Sequence, residues 1–225
     1  MTTALLTHPA SLQHVTPPGH PERVDRLMAI YAALDTLSDA GLIREDAPLG
    51  SQDDVLLCHP QHYIDKIIAA EPESGFVSLD ADTHMSNGSV EAAFRGVGAM
   101  TRAVDMVLGG EVANAFAAMR PPGHHAETAT QMGFCLFGNI AIAAKHALER
   151  HGLSRVAVVD FDVHHGNGTQ DLLWDEARTL FVSSHQMPLW PGSGTSKETG
   201  TSGNVLNVPL APETGGAQML SLIHI

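Results

Sequence analysis

The sequence has few cysteines, few basic residues and no long apolar run. Only Cys58 and Cys135 occur, so a disulfide framework is not expected. Twelve basic residues stand against 25 acidic ones, and a surface with a formal charge of -13 repels nucleic-acid phosphates. No apolar stretch approaches the roughly 20 residues that span a bilayer, and no basic segment at the N-terminus marks a signal peptide. These absences predict a soluble cytoplasmic protein that binds neither nucleic acid nor membrane.

The composition is that of a folded globular protein. Hydrophobic residues make up 44% of the 225 residues and charged residues 16%, which allows a sizeable core. Neither a repeat nor a linker divides the chain, so we expect a single domain over residues 1–225. The acidic surface tolerates cationic substrates such as polyamines or Lys-rich peptides. Fourteen histidines, several of them close to aspartates, suggest metal or acid–base chemistry.

Helix-like and strand-like segments alternate along most of the chain. Apolar periodicity from Val24 to Leu34, with a start signal at Pro21 and a stop signal at Gly41, predicts a first helix. Further helices are predicted over 62–70, from the cap-like segment 86–89 to 108, from a cap at Asn139 to about Arg150, and over 169–176. Short apolar and β-branched runs predict strands over 112–119, 155–162, 179–184 and 204–210. This alternation predicts an α/β fold with a mainly parallel sheet that helices cover on both faces.

Two histidine clusters lie just after two of the predicted strands. His124 and His125 follow the strand that ends near Met119, and a cluster of Asp and His follows Val159. Ligand sites in open parallel sheets form beyond the carboxyl ends of the strands. We therefore expect the two clusters to converge at one edge of the sheet.

The second cluster has polar side chains at Asp160, Asp162 and His164, two residues apart. In an extended chain such side chains point to the same side, so a carboxylate and an imidazole can bind one divalent cation. Zinc suits this mixed set, because a catalytic zinc takes three protein ligands and leaves one position for water. An isolated Asp-x-His is more often a simple helix cap, but the longer motif through Gly168 favours a metal site.

The first cluster places His124 and His125 side by side in a loop. Neighbouring side chains are expected to diverge, so the pair suits acid–base catalysis better than chelation, with one ring near the attacking water and one near the leaving amine. Each ring then needs a partner for its second nitrogen, and Asp160 and Asn167 are the candidates. A surface pair without a role is the alternative, which the surrounding Arg-Pro-Pro-Gly segment makes unfavourable.

These motifs resemble the signature blocks of the histone deacetylase and acetylpolyamine amidohydrolase family. The blocks are Arg-Pro-Pro-Gly-His-His-Ala at 120–126, Gly-Phe-Cys at 133–135 and Val-Asp-Phe-Asp-Val-His-His-Gly-Asn-Gly-Thr-Gln at 159–170. Shorter similarities at 20–23, 82–83, 183–185 and 191–194 extend the resemblance over nearly the whole chain. It implies the three-layer α/β/α fold of the arginase and deacetylase type, and Asn167 is typical of the class II and bacterial members.

The resemblance implies two metal sites. Asp162 and His164 correspond to two of the three protein ligands of a catalytic zinc ion, which polarises the acetyl carbonyl and acidifies a water molecule. Asp160, the hydroxyl of Ser183 and main-chain oxygens that include that of Ser184 correspond to a structural potassium site.

The resemblance also implies catalytic and substrate-binding roles. His124 and His125 correspond to the tandem acid–base histidines, with Asp160 as partner of His124 and Asn167 as partner of His125. The other three positions line the path of the substrate: Phe134 along the acyl-chain channel, the Gly133 carbonyl at the amide N–H, and Asp82 at the rim. The implied substrates are acetyl-lysine peptides, acetylated polyamines or other small acetylated amines, and a homo-oligomer is compatible with this role.

Two elements of the family pattern are missing from the sequence. The third zinc ligand is an Asp in a Gly-Phe-Asp-Ala-His block, and the carbonyl-polarising Tyr lies in a Gly-Gly-Tyr block. No candidate for either follows Leu210, and residues 218–225 do not resemble the family's next helix. We therefore expect the N-terminal portion of a longer domain, incomplete at its C-terminus, in which two ligands alone bind zinc weakly.

Two other functions stay open from the sequence. A non-catalytic relic or binding module of the same fold is favoured by the missing elements. A ureohydrolase of the arginase type shares the architecture and uses two manganese ions, but it requires paired Asp-x-Asp blocks and fits the tandem histidines poorly. His59, His62, His146 and His151 are interpreted as core or surface residues. Trp174 and Trp190 are interpreted as packing groups, with Trp190 within reach of the pocket rim.

Overall fold

The computed structural model describes residues 1–38 and 40–217, so residues 218–225 lie outside the described part. The strands are β1 Thr3–Thr7, β2 Leu42–Asp46, β3 Phe76–Ser78, β4 His84–Ser86, β5 Asn114–Ala117, β6 Val156–Asp160, β7 Thr179–Gln186 and β8 Val205–Leu210. The helices are α1 Val24–Leu34, α2 Gln52–Val55, α3 Gln61–Ala69, α4 Ser89–Leu108, α5 Asn139–Arg150 and α6 Asn167–Leu173. A 3-10 turn covers Pro9–Leu12.

The strands of the described residues form two parallel sheets and one hairpin. The first sheet has the order β2-β1-β5, the second has the order β6-β7-β8, and β3 pairs antiparallel with β4. In the second sheet Asp160 at the end of β6 is in register with Ser183 of β7. The predicted α/β class with mainly parallel strands is confirmed, although the parallel strands form two sheets here and not one.

An open groove separates β5 from β6, with α4 and α5 at its base. Ala115 and Ala117 of β5 line one wall, and Val158 of β6 lines the other. Met100 of α4 and Ile140 of α5 lie between them. The loop with the tandem histidines borders this groove at the end nearest the carboxyl ends of the strands.

The main core lies where α3, α4, α5 and α6 meet the β6–β8 sheet. Tyr63, Phe137, Ile142 and Phe181 are fully buried in it, and burial of each such side chain contributes roughly 1.5–3 kcal/mol. The Tyr63 hydroxyl donates a hydrogen bond of 2.6 Å to the carbonyl of Leu136, which satisfies the buried phenol. This core holds the start of α5 and the start of α6 in place beneath the site.

The two faces of the β6–β8 sheet are unequally covered by the described residues. Val158 and Phe181 point into the core, whereas Val159 and Leu206 on the opposite face are more than half exposed. Phe161, just beyond β6, is 80% exposed. The exposed face is therefore apolar.

The long predicted elements agree with the structure, but the four strands β1 to β4 were not predicted. Helix α4 ends at Leu108 as predicted, α5 begins at Asn139, which was expected to be its cap, and α6 begins at Asn167, two residues before the prediction. Strand β1, Thr-Ala-Leu-Leu-Thr, was not predicted because five residues without a β-branched apolar run carry little strand signal. Cys58 and Cys135 are buried and unpaired. Among the described residues, every helix is too short or too polar to cross a bilayer.

Candidate active site

The two histidine clusters meet at the carboxyl end of β6, as the sequence predicts. Nδ1 of His124 lies 2.9 Å from Oδ2 of Asp160, the last residue of β6. Nδ1 of His125 lies 2.8 Å from Oδ1 of Asn167, the first residue of α6. Each histidine is thus in contact with the partner expected for it.

The partners determine which nitrogen of each ring carries a proton. The amide nitrogen of Asn167 donates to Glu127 at 2.8 Å, so Oδ1 of Asn167 faces His125 as an acceptor. The Asp160 carboxylate accepts from Nδ1 of His124 in the same way. In both neutral rings Nδ1 is therefore the donor, and Nε2 keeps a lone pair that can take up a proton.

The two rings lie close together, and the expectation that they diverge is wrong. Their centroids are 3.8 Å apart with an angle of 42° between the ring planes. The physical reason is that Asp160 and Asn167 belong to the same short connection between β6 and α6, so both rings are held toward one place. The loop backbone is therefore folded back and not extended at these residues.

Two glycines allow the β6–α6 connection to approach the histidine loop. A Cβ atom on Gly168 would overlap with the carbonyl oxygen of Ala126, and one on Gly166 would overlap with the carboxylate of Asp160. Because the backbones touch, the amide of Thr169 donates to the carbonyl of His124 at 3.1 Å. The sequence Gly-Asn-Gly thus brings the start of α6 onto the histidine loop.

The pKa values of His125 and of Asp160 are both lowered, but for different physical reasons. Burial, together with the neighbouring His124, lowers the pKa of His125 to about 4. Burial raises the pKa of the Asp160 carboxyl, but hydrogen bonds from His124 and from the backbone of Asp162 outweigh it, and the net pKa is lowered. At neutral pH this arrangement holds an uncharged His125 near a buried carboxylate.

Asp162 and His164 lie on a bend beyond β6, because the strand ends at Asp160. The extended chain assumed from the sequence therefore stops before these residues. Side-chain-to-backbone hydrogen bonds hold the bend, since the amide of Asp162 donates to Asp160 at 3.0 Å and that of His164 donates to Asp162 at 2.8 Å. Oδ1 of Asp162 and Nδ1 of His164 are 3.2 Å apart, and their side chains are 50% and 39% exposed.

This spacing fits two ligand atoms of one small cation. Zinc takes oxygen and nitrogen ligands at about 2.0–2.2 Å, so two ligand atoms about 3.2 Å apart can share one ion. Within residues 1–38 and 40–217, the geometry places no third His, Cys, Asp or Glu with this pair. The ring of His125 lies 6.0 Å from that of His164, so the ligand pair adjoins the acid–base pair.

The residues implied in potassium binding lie next to one another on β6 and β7. Asp160 and Ser183 are paired in the sheet register, and Ser184 lines one small cavity together with Asp162. The Ser183 hydroxyl is fully buried and lies 2.9 Å from Nδ1 of His185.

The three implied substrate-binding residues cluster on the other side of the tandem histidines. Gly133 has a φ of +56° and leaves no room for a Cβ beside the ring of His125. Phe134 has a φ of +70°, and its amide donates to the hydroxyl of Thr83 at 3.2 Å. Burial and the adjacent Asp80 raise the pKa of Asp82.

Trp190 borders the site directly, which the sequence indicated only weakly. Its ring stands edge-on to His125 at 4.7 Å and to His164 at 6.1 Å, and it remains 41% exposed. Glu127, which holds Asn167, was not identified from the sequence at all. The adjacent Trp190-Pro191-Gly192 was the available signal for the tryptophan, whereas nothing in the sequence distinguished Glu127 from a surface acid.

A buried ion pair anchors the start of the histidine loop. The guanidinium of Arg120 donates from Nε and Nη2 to both carboxylate oxygens of Glu22, and both side chains are almost fully buried. Nη1 of Arg120 donates to the carbonyl of Ser11 at 3.1 Å. The bidentate geometry fixes the loop before His124.

Comparison with known proteins identifies the family. The model of the histone deacetylase domain matches residues 20–225. The chain belongs to the histone deacetylase family. It is 45% identical over 209 residues to an uncharacterised Synechocystis protein, covering 91% of this chain and 68% of that protein. It is 38% identical over 232 residues to a probable deacetylase of Archaeoglobus fulgidus, covering 99% of this chain and 63% of that protein.

Other relatives support the same family and fold. A histone deacetylase-like amidohydrolase of Pseudomonas aeruginosa is 41% identical over 209 residues, covering 89% of this chain and 55% of that protein. The crystal structure of the HDA15 HD domain superposes with a TM-score of 0.88 at 32% identity, covering 96% of this chain and 64% of that domain's chain. The predicted three-layer fold of the deacetylase type is thereby confirmed. The chain spans about half to two thirds of the length of the relatives it matches.

Proposed function

We propose that the protein is a zinc-dependent amidohydrolase that removes acetyl or other acyl groups from acetyl-lysine, acetylated polyamines or small acetylated amines. The observation that supports this most is the tandem of His124 and His125, each with its own buried partner, next to the ligand pair Asp162 and His164. Family membership supports hydrolysis of amides in general. The metal, the roles of the residues and the substrate class are the proposed part.

Asp162 and His164 would hold the zinc ion, because their oxygen and nitrogen atoms have the spacing that one ion requires. When bound, zinc supplies Lewis acidity toward the acyl carbonyl and toward a water molecule. Asp160, Ser183 and the Ser184 carbonyl would hold potassium beside this site, since they are adjacent on β6 and β7.

The histidines would move the protons of the hydrolysis. His125 is neutral at pH 7 and donates through Nδ1 to Asn167, so its Nε2 can accept the proton of the attacking water. His124 donates through Nδ1 to the Asp160 carboxylate, which leaves its Nε2 as the atom that would pass a proton to the leaving amine. His125 has the neutral partner Asn167 and His124 has the anionic partner Asp160, so the two rings suit different proton transfers.

The substrate would enter between Phe134 and Trp190. Both aromatic rings lie beside polar site residues, Phe134 against His20 at 4.8 Å and Trp190 against His125 at 4.7 Å. Such walls exclude water from an alkyl chain while Asp82 at the rim accepts hydrogen bonds. The net charge of -13 favours a cationic peptide or polyamine.

A single domain, a cytoplasmic location and a homo-oligomeric state are further proposals from the sequence. Of the alternative functions, the ureohydrolase is disfavoured by the tandem histidines, whose partners suit proton transfer at an amide. A binding module without activity is favoured by one observation, the exposure of a ligand pair that gains no third ligand from the described residues.

The three functions are separated by product and metal. We expect the full-length gene product to release acetate from an acetyl-lysine peptide or N-acetylputrescine, with one zinc per chain by elemental analysis. Urea release from arginine with two manganese ions would replace the proposal by a ureohydrolase. Binding of the acetylated compounds without product release, in zinc-loaded protein, would replace it by a binding module.

A further inference from the structure

We propose that Asp105, His146 and His151 form a second metal site, for a divalent transition ion such as Zn²⁺. These residues lie at the C-terminal ends of α4 and α5, away from the tandem histidines. Asn139 at the start of α5 lines the groove together with His124. At a rise of about 1.5 Å per residue, His146 and His151 lie about 10 Å or more farther along that helix. The site is thus distinct from Asp162 and His164.

The three side chains already converge on one point. Nε2 of His146 and Nε2 of His151 lie 2.8 and 2.7 Å from the same oxygen, Oδ1 of Asp105. One ligand atom from each residue lies within 4.8 Å of the others. Two imidazole nitrogens and one carboxylate oxygen form a three-ligand set that zinc prefers. A small outward movement admits an ion in place of the two N–H protons.

Asp54 supplies the support that metal-binding histidines typically have. Its Oδ1 lies 3.3 Å from Nδ1 of His146, and its Oδ2 is fixed by the Ser51 hydroxyl at 2.6 Å in the capping box of α2. Both nitrogens of His146 face carboxylates, Nδ1 that of Asp54 and Nε2 that of Asp105. An ion at Nε2 satisfies both sides, because Nδ1–H then bonds Asp54 in a carboxylate–histidine–metal arrangement.

The dipoles of α4 and α5 favour a cation beside Asp105, His146 and His151. Helices α4 and α5 run in the same direction, since Gly96 contacts Asn139 at one end and Asp105 contacts His146 at the other. Their negative C-terminal ends therefore meet at the cluster.

The cluster is accessible from solvent on one side. His146 is nearly buried, whereas the side chains of His151 and Asp105 are 28% and 41% exposed. An ion therefore has an entry path and an open fourth position for water. The sequence suggested core or surface roles for both histidines, because five residues of spacing across a helix end do not reveal the third ligand on α4.

The test uses zinc and cobalt titrations of metal-free chain carrying Asp162→Ala, which removes the other ligand pair. We expect one Co²⁺ to bind with the visible absorption of a four-coordinate site, and Zn²⁺ to displace it and raise Tm. Adding His151→Gln should weaken binding at least about 10-fold and abolish the rise in Tm. Asp54→Asn should weaken binding by a smaller factor, and His62→Ala, which removes an exposed histidine of α3, should leave it unchanged.

His151→Gln distinguishes a metal site from a purely structural hydrogen-bond network. The glutamine amide can still donate to Asp105 in this variant, but it is a poor ligand for the ion. Absence of saturable binding in the Asp162→Ala chain would overturn the proposal. Equal binding with and without His151→Gln would overturn it as well. If His151→Gln does not fold, His146→Gln in the same background provides the same comparison.

Discussion

The acid–base half and the ligand half of the candidate site are built differently. His125 is nearly buried, and its partner Asn167 is itself held by Glu127. Asp162 and His164 are 50% and 39% exposed and bond mainly to each other. Packing therefore fixes the proton-transfer groups before any metal or substrate binds, whereas the side chains of the ligand pair stay exposed and are held mainly by hydrogen bonds within their own bend. Substitutions in the two halves should therefore differ in how much unfolding free energy they cost.

The largest effect is expected at the anchor of the acid–base half. Glu22→Ala leaves the Arg120 guanidinium buried without its partner, which costs about 3–5 kcal/mol. Urea unfolding measures the loss. Glu91→Ala is the matched control, because it breaks the exposed Glu91–Arg95 pair and should cost at most about 1 kcal/mol. Equal losses of unfolding free energy in the two variants would show that the buried Glu22–Arg120 pair contributes no more to stability than an exposed ion pair.

A smaller effect is expected where α6 touches the histidine loop. Gly168→Ala introduces a Cβ that overlaps with the carbonyl of Ala126, so α6 must move, at a cost of about 1–3 kcal/mol. Gly216→Ala is the control, since a Cβ at Gly216 meets no atom of residues 1–38 or 40–217 within 4 Å. Thermal unfolding measures both variants. A loss of thermal stability in Gly168→Ala no larger than in Gly216→Ala would contradict the close approach of α6 to the carbonyl of Ala126.

A pH-dependent loss is expected from the buried His59. Its Nε2 accepts from the amide of Gly138 at 2.9 Å, and burial lowers its pKa from 6.5 to about 4. Above pH 6.5 both folded and unfolded forms are neutral. Below it the unfolded chain takes up a proton that the native chain refuses, so stability falls toward pH 4, by about 1.4 kcal/mol per pH unit.

Urea midpoints between pH 7 and 4.5 measure this slope. His59→Gln should reduce it by about one proton, and His62→Gln controls for loss of an exposed histidine. An unchanged slope in His59→Gln would mean that other groups, such as the buried His14 with a pKa of about 4, carry the whole effect.

The smallest effect is expected in the ligand half. In metal-free protein Asp162→Ala removes an exposed carboxylate whose bonded N–H groups can turn to water, so stability should change by at most about 0.5 kcal/mol. A loss of unfolding free energy as large as that of Gly168→Ala would show that Asp162 contributes as much to stability as the packing of α6 on the histidine loop.

The sequence predicted the class of fold and the partners of both histidines. The residues alone left Asp160 and Asn167 as candidates for either ring, and the resemblance to the deacetylase family implied which of them belongs to which histidine. The closeness of the two rings was not predictable, since it depends on how α6 packs on the loop through Gly168. The contact of Glu127 with Asn167 joins residues 40 positions apart, which no local pattern encodes.

The division of the parallel strands into two sheets and the cluster at Asp105 were likewise not predictable from the sequence. Strand β1 carries too few residues for a periodic signal and takes its place from pairing with β2 and β5. Asp105, His146 and His151 come together only because α4 and α5 run side by side. Long-range packing of this kind is set by the whole core and not by spacing along the chain.

The acid–base role of the tandem histidines is tested most directly by acetate release from an acetyl-lysine peptide, measured for the full-length protein and its His125→Ala variant with zinc content determined in parallel. We predict a rate at least about 100-fold lower with zinc retained, because the proton acceptor is lost while Asp162 and His164 remain. His62→Ala should match the unaltered protein. Turnover by His125→Ala close to that of the unaltered protein would contradict the role of His125 as proton acceptor.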